Sequence, residues 1–503
     1  MDARITRRRF LAAAGAGAAY LTLTNLGGCG APEQTEKVSP LKGVSYAPPD
    51  DLWAFRSRPD LSPPVVDVAK KAHNTAPGYV FVAPEQGDAG QGGSMIIDDR
   101  GQVVWFRPLK GTYGRAMNLE VQTYRGEPVL TWIESPGQYR SEYVISDDSY
   151  HEIARFAAAN GYDGDHHEFL ISPQDTALFT VYNAVPRDLS SVGGSKDGLV
   201  WQGIAQELDI ETGEVLFEWQ SIDHVGLDES YATPVQDGRT GLDYFHINSI
   251  DVDHDDDLLL SARETSTVYK VDRKTGEVIW RLGGKMSDFE MEEGARFAFQ
   301  HDARRLPNGN ISIFDNGSLV FDNGTPKAVE ESRAIVLEVD EKRMRATLVH
   351  EYTHPDGQYA DAAGNTQVLP NGDVFVGWGR ALAISEFSHD GELLFDLRLP
   401  PENRSYRAFR FPWSGHPTDK PACVAERTLG DEVRVYASWN GATEVESWEA
   451  LVGPRPGRLK PLGEVARDGF ETAIVVRTAD RYVGVRAKDR SGRVLGTSEP
   501  VET

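Results

Sequence analysis

The sequence predicts an all-β protein, with a six-bladed β-propeller followed by a small β-sandwich. Three observations support this prediction. The 503-residue chain contains 49 glycines and frequent Asn-Gly and Thr-Gly-Glu turns. Helical periodicity is scarce, and a pattern of short apolar strands recurs along the chain. A repeat of this kind is typical of folds in which each copy forms one small antiparallel sheet.

The repeated unit is a short apolar strand that ends in an acidic turn, and most copies are followed by a second apolar strand. Copies of the first strand lie at residues 95–99, 143–148, 207–211, 268–272, 335–340 and 384–388. Their spacing of about 48 to 68 residues leaves room for about four strands per copy, as in the blades of a propeller. We therefore predict that the six-bladed propeller spans residues 75–415.

The segment before the propeller has the features of an export signal. Arginines at 7–9 precede Phe10 and Leu11, an apolar run of small residues follows, and Leu26-Gly27-Gly28-Cys29 ends it. The start resembles a twin-arginine signal and the end resembles a lipoprotein cleavage box, with Cys29 as the lipidated residue. A transmembrane anchor is the weaker reading, because the run is short for a bilayer span.

These features predict a signal at residues 1–29 and a tether or arm at 30–74. The protein is then extracytoplasmic and held at the outer face of the membrane by lipid, or its signal is simply cleaved. Cys29 and Cys423 are the only cysteines, so lipidation of Cys29 excludes an intrachain disulfide.

The pattern changes after a proline-rich break near residue 415. Alternating apolar and polar residues separated by turn residues occupy 433–441, 445–449, 471–476 and 482–487. This alternation resembles immunoglobulin and fibronectin III domains, and it predicts a small antiparallel sandwich over residues 425–503.

The net charge of the chain limits the kinds of molecule that it is expected to bind. The chain has 52 basic and 77 acidic residues, for a formal net charge of −25. Such a surface repels phosphate backbones, so we expect no nucleic-acid partner.

A second recurring element places polar residues before a turn and a strand. Its copies lie at residues 166–173, 246–250, 301–307 and 365–370. Because the innermost strand of each blade lines the central channel, equivalent polar residues should converge at one mouth. We expect His167, His246, His301 and Thr366 around a single funnel.

The funnel would also contain the Asn248 amide and the Arg263 guanidinium. This set lacks the carboxylates that usually accompany histidine at a divalent metal, although three histidines alone can hold zinc. It suits an oxyanion better, since Arg263 can bind two oxygens while an unprotonated imidazole attacks. We predict group transfer of an anion, with no metal and no cofactor.

At these residues the chain resembles the bacterial arylsulfate sulfotransferase family. The matching pieces are His-x-Asn-Ser-Ile at 246–250, the strand ending at Arg263, Gln-His-Asp-Ala at 300–303, Phe-Asp-Asn-Gly at 314–317 and the element at 165–168. We expect no counterpart of the amino-terminal sandwich of the enterobacterial type, because the segment before Gly78 is short, and none of its disulfide, because Cys29 is expected to be lipidated. The chain looks closer to a divergent branch found in actinobacteria and fungi.

The resemblance implies a six-bladed propeller that transfers sulfate from an aryl sulfate to a phenol without a nucleotide. His301 would be the nucleophile that becomes sulfohistidine. His246 and Arg263 would stabilise charge on the leaving and attacking oxygens, and His167 would assist proton transfer. Asn248 and Thr366 would contact the sulfate.

Other interpretations of these residues and of the function remain open. His246 and His301 could be structural histidines that bind blade turns, and Arg263 could pair with a neighbouring carboxylate. The acidic run at 251–257 fails as a calcium loop, because Asp256 and Ala262 replace the required glycine and glutamate. The alternative functions are a non-catalytic extracellular binding or scaffolding propeller, and a hydrolase or lyase that uses the same funnel.

Overall fold

The computed structural model describes residues 41–44, 52–86, 90–109, 114–135, 140–234, 241–317, 320–322, 325–327, 331–428 and 430–503. The predicted export signal, with Cys29, lies outside these ranges. The described chain is nearly all β, as the sequence predicts. Its helical segments are short: one α-helix at Ser221–His224 and 3-10 turns at Ser190–Val192, Leu227–Glu229, Gly379–Ala381 and Pro456–Arg458.

Six antiparallel sheets, named I to VI here, follow one another along the described chain. The strands of sheet I are Ala408–Phe411, Tyr79–Val82, Gly93–Ile97 and Val103–Pro108. The strands of sheet II are Arg115–Tyr124, Glu127–Ser135, Glu142–Ser146 and Glu152–Ala157. The strands of sheet III are Gly164–Ile171, Thr176–Arg187, Gly198–Asp209 and Val215–Gln220, with Leu242–Asp243 parallel to the third.

In the remaining three sheets, too, the first four strands follow one another in chain order. The strands of sheet IV are Ile247–Val252, Leu258–Ala262, Thr267–Val271 and Val278–Gly283. The strands of sheet V are His301–Arg305, Ile311–Asp315, Arg333–Asp340 and Arg345–Thr353, with Glu290–Met291 parallel to the last. The strands of sheet VI are Asn365–Val368, Val374–Gly377, Ala383–Phe387, Leu393–Arg398 and Asp67–Lys70. A separate hairpin pairs Val320–Asp322 with Thr325–Lys327.

Buried apolar side chains pack each sheet against the next. One cluster joins sheets I and II through Phe81 and Leu130, and others join II with III, III with IV, IV with V, and V with VI. The last cluster joins sheet VI back to sheet I through Phe375 and Val80. Each of the six predicted acidic-turn strands lies in a different one of these sheets.

The edge strands that begin at residues 115, 164, 247, 301, 365 and 408 contact one another in the same cyclic order. We call them the inner strands. In sheets II to V the inner strand has an irregular register near its start. His246 and Asp302 lie in these starts with φ of 56° and 55°, in the left-handed region that few non-glycine residues adopt.

Two further sheets share one apolar core at the C-terminal end of the chain. The strands of the first are Leu41–Val44, Glu471–Arg477, Glu432–Ser438 and Ala422–Arg427. The strands of the second are Lys460–Ala466, Ser447–Gly453, Tyr482–Lys488, Val494–Thr497 and Val501–Glu502.

The predicted arm at residues 30–74 contributes strands to both regions. Leu41–Val44 pairs with the C-terminal strand Glu471–Arg477, and Asp67–Lys70 forms the outer edge of sheet VI. Between them, Trp53 and Phe55 are buried in the cluster that joins sheets VI and I. None of the helices in the described ranges is long and apolar enough to cross a membrane.

Candidate active site

A cavity of about 360 Å³ lies where the inner strands begin. Its polar lining is dominated by four histidines and four arginines: His166, His167, His246, His301, Arg115, Arg263, Arg380 and Arg404. The three histidines that the sequence assigns to one funnel, together with Arg263, are therefore brought together by sheets III, IV and V. Their neighbours determine what each group can do.

His301 is buried at the start of the inner strand of sheet V. Its Nδ1 lies 2.7 Å from Asn316 Oδ1, and Asn316 donates through Nδ2 to the carbonyls of Ala360 and Ala363, both at 2.9 Å. The Asn316 oxygen is thus fixed as an acceptor, and Nδ1 of His301 must carry the hydrogen. Nε2 is therefore unprotonated, and within the described ranges its lone pair accepts a long bond, at 3.3 Å, from the Ala363 amide.

Burial and the positive charge of Arg263 lower the pKa of His301 well below its usual value. Because an imidazole attacks only when it is unprotonated, this environment keeps His301 competent as a nucleophile at neutral pH.

The surroundings of His246 favour its protonated form, unlike those of His301. Its Nδ1 lies 2.5 Å from Asp243 Oδ2. Burial disfavours its protonated form, but the Asp243 carboxylate outweighs this effect and raises the pKa of His246. A protonated His246 can donate a hydrogen bond, or a proton, to an oxygen in the cavity.

His167 completes this wall of the cavity. Its Nδ1 binds Asp165 Oδ2 at 2.6 Å, and its ring contacts those of His246 and Tyr406 at centroid distances of 5.0 and 5.5 Å. His166 stacks on His167 at 4.5 Å. Burial lowers the pKa of His166 to about 4.

Asp165, His166 and His167 are the group in the described ranges with the geometry of possible metal ligands, since their ligand atoms lie within 4.8 Å of one another. Asp165 already makes hydrogen bonds within the protein. Its Oδ2 accepts bonds from the His167 ring, the His167 amide at 2.9 Å and Thr180 Oγ1 at 2.8 Å. We therefore assign Asp165 to orienting His167.

Arg263 lies beside His246, and its backbone amide donates to the His246 carbonyl at 2.9 Å. The guanidinium stacks over Phe299 at 4.9 Å and pairs with Glu264 through Nη1. The predicted local ion pair is therefore present, yet Arg263 also lines the cavity. Its buried Nε has no hydrogen-bond partner among the described residues.

Tyr406 is a cavity residue that the sequence interpretation does not include. It precedes the inner strand of sheet I, is buried, and lies with its ring 6.1 Å from that of His301. Its hydroxyl is buried without a hydrogen-bond partner in the described part of the chain. Such a group is costly unless a ligand satisfies it.

Asn248 and Thr366 are placed differently from the prediction that they contact the sulfate. Neither is among the residues that line the cavity. Asn248 Nδ2 donates to the Gln300 carbonyl at 2.8 Å, and Thr366 Oγ1 donates to the Ile313 carbonyl at 3.1 Å. Asn248 lies at the register irregularity of the sheet IV inner strand, whereas Thr366 lies in a regularly paired strand. Both side chains connect neighbouring strands.

A buried ion network connects three inner strands near this cavity. Glu168 binds Arg407 Nη1 at 3.1 Å and Arg304 Nη2 at 2.6 Å. Asp302 binds the same Arg304 group at 2.9 Å. Burial, with the charge of Glu168, raises the pKa of the nearby Glu120 to about 8. These charges lie outside the cavity lining, and they fix the strands that bear the histidines.

Most of the site residues that were not predicted from the sequence lie in no recognisable local pattern. Asp243 is the exception, because it stands three residues before His246 and could have been identified as its carboxylate partner. Tyr406 and Arg407 reach the site only through the fold, since their contacts join distant parts of the chain.

An all-β protein with a cavity of oriented histidines and arginines is a candidate for histidine-dependent transfer of an anion. Comparison with known families specifies the class. The model of the arylsulfotransferase (ASST) family matches residues 120–399, more than half of the chain, and this range includes His167, His246, Arg263 and His301. The chain belongs to the arylsulfotransferase family.

Comparison with individual proteins gives only distant similarities. No curated protein matches the chain. Among solved structures, a protein of unknown function from Bacteroides caccae is 14% identical, with a TM-score of 0.40 over 66% of this chain and 98% of that one. A catalytically inactive virginiamycin B lyase from Staphylococcus aureus, solved with quinupristin, is 8% identical, with a TM-score of 0.35 over 82% and 100%. A GH43 protein from Bacillus licheniformis is 10% identical, with a TM-score of 0.30 over 78% and 89%.

Proposed function

We propose that the protein transfers a sulfuryl group from an aryl sulfate to a phenolic acceptor through a sulfohistidine at His301, without a nucleotide donor. The observation that carries this proposal is the fixed tautomer of His301. Asn316 holds its Nδ1 hydrogen, and Nε2 is left as a nucleophile beside Arg263 and His246 in one cavity.

We propose further that sheets I to VI are the blades of a six-bladed propeller and that the two C-terminal sheets form an immunoglobulin-like sandwich. The cyclic packing of the six sheets and the contacts between successive inner strands support the first assignment. The core shared by the two C-terminal sheets supports the second.

In the first half-reaction, His301 Nε2 attacks the sulfur of the donor. An N–S bond forms, the S–O bond to the aryl group breaks, and its electron pair leaves on the aryl oxygen. Protonated His246 gives its Nε2 hydrogen to that oxygen, so a phenol departs.

In the second half-reaction, the hydroxyl oxygen of the acceptor attacks the same sulfur. The N–S bond breaks, its electrons return to Nε2 of His301, and the hydroxyl proton passes to His246. His167, in ring contact with His246, assists this proton transfer.

Arg263 stabilises the sulfuryl oxygens as negative charge redistributes during both transfers. Its side chain lines the cavity, and a charged donor in a buried site stabilises a transition state more strongly than one in water. The unpartnered Tyr406 hydroxyl supplies a second donor within the cavity.

We propose an extracytoplasmic location, with the twin-arginine signal directing export and Cys29 carrying a lipid. Replacing Cys29 by Ala should release the protein from membranes into the external fraction. Unchanged membrane association of Cys29→Ala would contradict lipid anchoring.

The test of function uses 4-nitrophenyl sulfate as donor and phenol as acceptor. Wild-type protein should release nitrophenolate at a rate that depends on phenol and should form phenyl sulfate in equal amount. His301→Ala should lose the reaction, whereas the matched control His389→Ala, at an exposed histidine, should retain it. Release without phenol would instead indicate a hydrolase, and no turnover of several aryl sulfates would favour a binding or scaffolding propeller.

A further inference from the structure

The cavity contains more positive charge than one sulfate requires. Arg115, Arg263, Arg380 and Arg404 all line it, against Glu85 as the carboxylate in the lining. The whole chain has a formal net charge of −25. A cluster of arginines on so acidic a protein is a local exception, and clefts of one sign of charge concentrate ligands of the other sign.

The four arginines differ in their partners. Arg263 pairs with Glu264, and Arg380 Nη1 lies 3.3 Å from Asp361 Oδ2. Arg115 and Arg404 are exposed, and neither has an ion-pair partner among the described residues. Two guanidinium groups are therefore available at the edge of the cavity.

These two arginines come from the side of the ring away from the nucleophile. Arg115 begins the inner strand of sheet II, and Arg404 precedes the inner strand of sheet I. Arg263 follows a strand of sheet IV, and His301 begins the inner strand of sheet V. In a cycle of six sheets, I stands opposite IV and II stands opposite V. A substrate that spans the cavity therefore meets positive charge at both ends.

We infer that the preferred donors are dianionic aryl sulfates, in which the ring carries a second anionic group, such as a carboxylate, at the end remote from the sulfate. This inference rests on the proposed sulfuryl transfer. Arg263 and the histidines bind the sulfate end, and Arg115 and Arg404 bind the remote anion. Both are specificity residues, since the reacting atoms lie at the other end of the donor.

The test compares two donors of matched shape: the sulfate esters of 4-hydroxyphenylacetate and of 4-hydroxyphenylacetamide. They differ in the charge of the remote group and share a similar leaving phenol. Transfer to a common phenol is followed by mass spectrometry for the wild type, for Arg115→Gln/Arg404→Gln, and for the control Arg490→Gln, at an exposed arginine of the C-terminal sheets.

Wild-type protein and the Arg490→Gln control should favour the carboxylate ester by about tenfold in kcat/KM, as two partly exposed ion pairs allow. The double variant should bring the ratio close to one. Equal use of both esters by the wild type, or an unchanged preference in the double variant, would overturn the inference.

A binding measurement separates this inference from the proposed function. If neither ester nor 4-nitrophenyl sulfate is turned over, sulfuryl transfer fails. Calorimetry must even then show tighter binding of the carboxylate ester to the wild type than to the double variant. Equal binding there would overturn the remote anion site by itself.

Discussion

Three of the four histidines that line the cavity bind a side chain through Nδ1, and each has a different partner. His301 donates to the neutral amide of Asn316, whereas His246 and His167 bind the carboxylates of Asp243 and Asp165. A neutral acceptor fixes a tautomer and favours the imidazolium ion less than a carboxylate does, because a carboxylate adds its negative charge. In the proposed mechanism, this difference divides the roles of nucleophile and proton donor between residues of one type.

The pH dependence of activity should follow from this division. Activity requires unprotonated His301, whose lowered pKa places the acidic limb well below the usual histidine range. It also requires protonated His246, whose pKa is raised, so activity should fall as the pH rises through the raised pKa of His246, above the usual histidine range. Asp243→Asn removes the charge that raises the pKa and should move the alkaline limb of kcat/KM to lower pH.

The control for this profile is Asp431→Asn, at an exposed carboxylate of the C-terminal sheets, which should leave both limbs in place. An alkaline limb that stays at the same pH in Asp243→Asn would show that His246 is not the titrating group.

A second prediction concerns the unpartnered hydroxyl of Tyr406. Tyr406→Phe should lower kcat/KM by about tenfold, the equivalent of one hydrogen bond to a charged group, and should leave the free energy of unfolding nearly unchanged. Kinetics and urea denaturation measure the two effects.

Tyr143 is the matched control, because its hydroxyl donates to the carbonyls of Asp165 and Thr180 at 2.9 and 3.1 Å. Tyr143→Phe should lower the free energy of unfolding by about 2 kcal/mol. A stability loss of that size in Tyr406→Phe would mean that its hydroxyl has a structural partner.

At the scale of elements, the inner strands are held together by charges inside the protein. Arg407→Met removes the partner that Glu168 receives from sheet I and should lower the free energy of unfolding by about 3 to 5 kcal/mol, because a buried carboxylate loses compensation. Urea denaturation measures this loss. Arg343→Met, at an exposed arginine, should cost less than about 1 kcal/mol, and equal costs for the two variants would contradict the proposed role of the network.

The inner strands also show which features of the site a sequence pattern can predict. Recurring polar residues before turn-linked strands were enough to group His167, His246 and His301. The same pattern did not separate Asn248 and Thr366 from the residues that line the cavity. At Asn248 the strand has a register irregularity of one residue, which interrupts the alternation of faces, whereas the strand of Thr366 is regular. Such irregularities, with φ of 56° at His246, leave no clear mark in a single sequence.

At the scale of the molecule, the C-terminal sheets are joined to the six-sheet ring. Asn440 accepts from the Phe106 amide and donates to the Phe106 carbonyl, both at 2.9 Å, and Phe470 packs in the cluster that joins sheets VI and I. Calorimetry should therefore record one cooperative thermal transition, which Asn440→Ala should shift to lower temperature by removing both bonds. Two separate transitions in the wild type would contradict this coupling.

Composition and repeats were sufficient to predict a nearly all-β chain, because turn residues and strand alternation are local properties. The strands at Leu41–Val44 and Asp67–Lys70 were not predicted, since each is a short edge strand whose partner lies far along the chain. Arg407 was missed for the same reason.

The proposed mechanism requires a covalent sulfuryl intermediate on His301. The direct measurement is mass spectrometry of the protein after brief exposure to 4-nitrophenyl sulfate without acceptor, followed by peptide mapping. We predict a mass increase of one SO₃ group on the peptide that carries His301, removed when phenol is added and absent from His301→Ala. Phenol-dependent turnover with no adduct, or with an adduct on His246 or His167, would contradict the account.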